Sequence, residues 1–119
     1  MKVLVVDDET LVRRSLSRVC SGRNHEVKEA EDGERGLELW SSFQPDLVFL
    51  DILMPKLTGL EVLKKVKKSP TVKVILMSAY TGGIAPEEAR AAGADLFLAK
   101  PFEDIFSVIQ RAEELCDGR

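Results

Sequence analysis

The chain has 119 residues, of which 45% are apolar and 31% charged, a balance that suits one globular domain, expected over residues 1–119, with enough chain to bury a core. A net charge of −3 offers no basic surface for nucleic acid, so direct DNA or RNA binding by this chain is not expected. No apolar run nears membrane-spanning length, MKVLVVDDE lacks the length and cleavage pattern of a secretory leader, and Cys20 and Cys116 are too far apart for a zinc or redox motif; a reducing cytoplasm, away from membranes, is the simplest setting.

Short apolar runs alternate with segments of helical period along the chain. Residues 3–6 (VLVV) read as a strand, and residues 9–21 as a helix with Leu11, Val12, Leu16 and Val19 on one stripe. Residues 26–30 (EVKEA) form a weaker strand. Residues 32–42 come next as a helix around Leu37, Leu39 and Trp40, in which Gly36 costs up to about 1 kcal/mol of helix propensity. LVFL at 47–50 is the central strand. Residues 59–68 make a helix with Leu60, Leu63 and Val66 inward and Lys64, Lys65, Lys67 and Lys68 on a solvated face. Residues 72–77 (VKVILM) are a strand. Residues 86–92 are a short helix with Pro86 at its start, where the missing N–H does no harm, and Gly93 ends it. Residues 96–99 (LFLA) are the last strand and residues 103–115 the last helix. Phe102, Ile105 and Phe106 are expected mainly in the core, with Cys20, leaving room for one of the three to reach the surface; Cys116 is expected at a frayed end. His25 falls in a turn, with no phosphotransfer or metal role expected of it.

Five βα units with near-continuously apolar strands indicate a parallel sheet with helices on both faces and right-handed crossovers. Periodicity alone leaves the strand order open.

The strand ends carry the chemistry. In DLVFLDILMP, four apolar residues run straight into Asp51, and a buried unpaired carboxylate is costly. The first strand runs into Asp7 and Asp8, the fourth into Ser78 and the fifth into Lys100. In an open parallel sheet these ends share one edge, where ligands bind. Two carboxylates ~4 Å apart at an effective dielectric of ~20 repel by about 4 kcal/mol, so three together call for a counter-charge. A hard divalent cation with oxygen ligands, Mg²⁺ or Mn²⁺, suits them. With Lys100 and Ser78 it could hold phosphoryl oxygens, leaving Asp51 as the nucleophile and an aspartyl phosphate as the product. Asp7 and Asp8 taken alone would read as helix N-caps, and Ser78 as a loop serine.

Four separated stretches, VLVVDDE, DLVFLDILMPKLTGLE, VILMSA and AGADLFLAKPF, occur in order over essentially the whole chain. Together they resemble the receiver (REC) domain of bacterial two-component response regulators. The resemblance implies a flavodoxin-like (βα)5 doubly wound parallel sheet of strand order 2-1-3-4-5. It implies that Asp51 is the phosphoacceptor, that Asp7 and Asp8 hold Mg²⁺ together with Asp51 and the Leu53 backbone carbonyl, and that Lys100 pairs with the phosphoryl oxygens. Ser78 resembles the switch hydroxyl and Phe97 the switch aromatic, while Lys100–Pro101 resembles a bond that is often cis. The implied partners are a histidine kinase or phosphotransfer protein and a downstream output domain or protein. A homodimer through the face of the fourth helix, fifth strand and fifth helix is a further option. No enzyme activity is implied beyond its own phosphorylation and slow dephosphorylation.

The resemblance also implies that Leu53, apolar, and Tyr80, bulky, stand where side chains tune access to the phosphoryl group, and both are expected to slow water's approach and lengthen the phosphoryl lifetime. A phosphatase of the haloacid dehalogenase type would need an acid where Leu53 stands. A dinucleotide-binding domain would need a glycine-rich loop after the first strand. A binding module that is never phosphorylated is the remaining alternative, and the full acid–lysine set argues against it. The chain stops just after the last expected helix, as either a stand-alone regulator or a receiver cut from a longer regulator or hybrid kinase would.

Overall fold

Each apolar run is a strand in the computed structural model, which describes residues 1–66, 69–79 and 86–117. The order is β1 Lys2–Val6, α1 Thr10–Gly22, β2 Glu26–Ala30, α2 Gly33–Phe43, β3 Leu47–Asp51, α3 Gly59–Val66, β4 Lys73–Ser78, α4 Pro86–Ala91, β5 Leu96–Ala99 and α5 Ile105–Asp117. Among the described residues the strands form one five-stranded sheet, ordered β2-β1-β3-β4-β5 and parallel throughout. This is the doubly wound, flavodoxin-like arrangement. The chain winds outward from β1 in both directions, so the β1/β3 boundary is the switch point where loops diverge and leave a crevice.

The strands look uniformly apolar because alternate residues feed two separate cores. Leu4, Val6, Val48, Leu50, Val74 and Leu76 pack with Leu39, Trp40 and Phe43 of α2, Val62 and Leu63 of α3 and Ala89 of α4. Val3, Val5, Leu47, Phe49, Ile75 and Met77 pack on the other face with Leu16 and Cys20 of α1 and Val108, Ile109, Ala112 and Cys116 of α5.

Several expectations need correction. The last helix begins at Ile105, because the Asp104 carboxylate accepts the Phe106 N–H at 3.0 Å and the Ser107 hydroxyl at 2.9 Å and so caps it. Ile105, Val108, Ile109, Ala112 and Cys116 then share the inward stripe. Phe106, one residue off that stripe, is 64% exposed, whereas Cys116 is buried instead of frayed. Gly36 is more than a propensity cost: a Cβ there would lie 2.9 Å from Val6 Cγ1, so the missing side chain lets α2 close onto β1. Lys64 and Lys65 are exposed as expected; Lys67, Lys68, Tyr80 and residues 81–85 lie outside the described residues. The Lys100–Pro101 bond is cis. Among the described residues no helix is long and apolar enough to cross a membrane.

Candidate functional site

β1, β3 and β4 sit side by side in the sheet's middle, so the sheet itself brings together the residues at and just past their C-terminal ends. Asp7 directly follows β1 and is fully buried; Asp51 is the last residue of β3, Ser78 the last of β4, and both are buried. Lys100 follows β5 and is buried too, while Asp8 is exposed at the mouth. Backbone bonds continue past the strands and fix these positions. The Asp7 N–H donates to the Ala30 carbonyl at 3.1 Å, Ile52 N–H to Met77 at 2.9 Å, and Lys100 N–H to Ser78 at 2.8 Å. Gly59, the first residue of α3, packs on the Asp51 backbone so closely that a Cβ would fall 2.5 Å from the Asp51 carbonyl oxygen.

The side chains converge as the sequence suggested. Carboxylate oxygens of Asp7, Asp8 and Asp51 lie within 4.8 Å of one another. The Lys100 ammonium donates to Asp7 Oδ2 at 3.0 Å and stands 3.5 Å from Asp51 Oδ1. Its shortest bond is to Glu9 Oε1, at 2.6 Å. Ser78 sits next in line, its Cα in register with Ala99, the residue before Lys100. Leu53 follows Asp51 by two residues and is 56% exposed. Phe97 is not at this site: it is half-buried on β5 against the core shared by α2, α3 and α4.

Two residues were missed. Glu9 is the shortest partner of Lys100, and its backbone N–H donates to Asp7 Oδ1 at 2.9 Å. In sequence it reads as one more acid before a helix. Arg13 of α1 donates from Nη1 to the Asp7 carbonyl at 2.9 Å and from Nε to Glu29 of β2 at 3.1 Å, with only 12% of its side chain exposed. It thereby ties the Asp7 loop to the sheet edge. Nothing in the helical pattern marks it out.

Four carboxylates, Asp7, Asp8, Glu9 and Asp51, face one ammonium, and the electrostatics reflect that excess. Burial, reinforced by Asp7 and Asp8 and only partly offset by Lys100, pushes the Asp51 carboxyl from 3.8 up to about 7. Burial also raises Asp7, against the pull of the Glu9 N–H and Lys100. Burial opposes the Lys100 charge, but its bonds to Glu9 and Asp7 outweigh that and hold it above its ordinary value. An all-oxygen donor set with surplus negative charge fits a hard divalent cation. It also fits an anionic group carried between such a cation and Lys100.

Residues 3–110 match the family model for the response regulator receiver domain. The chain is 37% identical over 117 residues to the regulatory protein AtoC of Escherichia coli, covering 96% of this chain and 25% of that protein. It spans half or less of the length of the curated relatives it matches. Its structure aligns with the receiver domain of the Francisella response regulator 1452 at a TM-score of 0.85 and 30% identity, over 98% of this chain and 97% of that one. It aligns with the response regulator TrrA of Thermotoga maritima, solved with Mg²⁺ and BeF, at 0.81 and 34% identity, over 96% and 97%.

Proposed function

This chain belongs to the family of response regulator receiver domains, and on that premise we propose that Asp51 is a phosphoacceptor in a two-component phosphorelay. The phosphoryl group comes from the phosphohistidine of a histidine kinase or phosphotransfer protein, or from a small phosphodonor. An Asp51 carboxylate oxygen attacks phosphorus, and the P–N bond to the donor imidazole breaks with its electron pair leaving on nitrogen. The observation that carries this reading is the placement of Asp51: buried, 3.5 Å from Lys100, with Asp7 and Asp8 oxygens within 4.8 Å.

Asp7, Asp8, Asp51 and the Leu53 carbonyl are the groups that would hold Mg²⁺ or Mn²⁺, which when bound offsets the acids and the charge of the phosphoryl oxygens. The complex of the similar TrrA with Mg²⁺ and BeF supports this assignment. Lys100 takes one phosphoryl oxygen as a fixed positive charge, and Ser78, one strand closer, donates its hydroxyl to another. Phe97 then turns into the space Ser78 leaves. The face of α4, β5 and α5 changes, and an output domain, an output protein or a second copy reads it. The relatives' greater length supports an output domain as one such reader. The chain acts on no substrate but itself.

Intact mass after incubation with acetyl phosphate and Mg²⁺ tests the core of this. One phosphate is expected on the wild type, and none without Mg²⁺ or on Asp51→Asn. A wild type that takes neither phosphate nor beryllofluoride overturns the reading.

A further inference from the structure

Lys100 is shared unequally among three acids, and the sharing has a direction. An ammonium has three donors. One is committed to Asp7 and one to Glu9, the shorter of the two bonds, while Asp51 lies at ion-pair distance only. The three acids also differ in freedom. The side chains of Asp7 and Asp51 are 0% and 4% exposed, whereas that of Glu9 is 53% exposed. Asp7 and Asp51 can release Lys100 only by becoming bare buried charges; Glu9 can release it and be hydrated.

The backbone gives an independent sign that the Glu9 side chain is turned to this use. Glu9 is the N-cap of α1, with extended backbone angles of φ −83° and ψ 110°, yet its carboxylate makes no capping bond. A capping Asp or Ser would add about 1 kcal/mol to the helix. Instead the longer side chain reaches Lys100.

We propose that Glu9 is a positioning residue and placeholder. It holds Lys100 in the resting site with a carboxylate where a phosphoryl oxygen would later bind, and it gives Lys100 up when Asp51 is phosphorylated. This rests on Asp51 being the phosphoacceptor. Glu9 then has opposite effects on two ligands. Its negative charge adds to the attraction for the cation, but it competes with an anionic phosphoryl group for Lys100.

Glu9→Gln separates the two, because glutamine keeps the length and an acceptor oxygen but loses the charge. The measurements are Mg²⁺ affinity by titration, and beryllofluoride affinity at saturating Mg²⁺, on the whole chain. Mg²⁺ affinity should fall and beryllofluoride affinity should rise, each about three- to fivefold, the scale of one half-exposed charge. Glu114→Gln, an exposed acid of α5, should move neither. A purely structural role for Glu9 would weaken both ligands together. Beryllofluoride binding to Glu9→Gln that is unchanged or weaker overturns the placeholder role while leaving the phosphoacceptor intact. A wild type that binds no beryllofluoride overturns the phosphoacceptor reading, and the placeholder with it.

Discussion

Replacing Asp51 by asparagine should make the metal-free protein more stable at neutral pH. The carboxyl is pushed from 3.8 to about 7 in the folded site, chiefly by burial and then by Asp7. At about 1.4 kcal/mol per pH unit, holding it ionised costs the fold up to about 4 kcal/mol. Asparagine stays buried and leaves Lys100 with less counter-charge, so a net gain of about 2 kcal/mol is the working figure, or roughly 8 °C in Tm for a domain of this size. The same shift sets the sign with pH. Below about 3.8 the acid is protonated in both folded and unfolded chains and contributes nothing. As pH rises toward 7 the unfolded chain ionises it freely while the folded chain resists, so wild-type stability falls relative to the variant, and above about 7 the gap is constant. Thermal and urea unfolding of both proteins in EDTA, from about pH 5 to about pH 8, reads the gap directly. A variant no more stable than wild type at the upper end, or a gap that does not change with pH, would refute the electrostatic account of this site.

Three other perturbations draw on the same geometry. Mg²⁺ should raise the melting temperature and Asp8→Asn should shrink that gain, since Asp8 supplies one of the clustered oxygens; no shift with Mg²⁺ would sink the metal assignment. Gly59→Ala places a Cβ 2.5 Å from the Asp51 carbonyl oxygen, so α3 must move; a loss of about 2 kcal/mol with weakened Mg²⁺ binding is expected, and an unchanged melt would show that the packing there is loose. Glu113 binds Arg23 at 2.8 and 2.6 Å and His25 at 2.7 Å, and these bonds, Arg23 first, lower its carboxyl to about 2. With Arg23 half-exposed the cluster is worth about 1 kcal/mol, present above the ordinary carboxylate value and lost as pH falls toward 2. Glu113→Gln should therefore cost that much near neutrality and nothing in strong acid, as urea titrations at the two pH values would show.

The parts of the fold legible in the sequence were those where burial and period coincide. VLVV, LVFL and VILM are strands because both their faces are covered, and the same uniform greasiness hides which strand lies beside which. The end of each run was informative because an acid or an amine has no place in a core unless something meets it. Hence Asp7, Asp51 and Lys100 stood out, and Ser78 only in their company. Glu9 and Arg13 did not, since an acid before a helix and a basic residue within one are what solvent-facing positions carry; their partners are Lys100, just past β5, and Glu29 of β2, out of reach of a local pattern. Cys116 was placed at a frayed end because the expected helix stopped two residues short, and Phe106 is the one of the three apolar residues around the start of α5 that reaches the surface, one residue off the inward stripe. Gly36 was read as a loss because propensity knows nothing of Val6 across the interface.

A fold that holds an ionised acid at such cost must be held by something larger, and β3 has it. Leu47, Val48, Phe49 and Leu50 are each fully buried, two into either core. At roughly 2 kcal/mol apiece they outweigh the ~4 kcal/mol set against Asp51 by about a factor of two. The acid cannot relieve itself by moving. Ile52 bonds to β4 at 2.9 Å, Gly59 bonds back to Ile52 at 2.9 Å, and the contact of Gly59 with the Asp51 carbonyl blocks retreat toward α3. With the backbone pinned, only a change in charge relaxes the site: a proton, a cation, or a new group on Asp51 that Lys100 can reach. The rigidity that fixes the acids and the sensitivity of the site to charge thus have one origin.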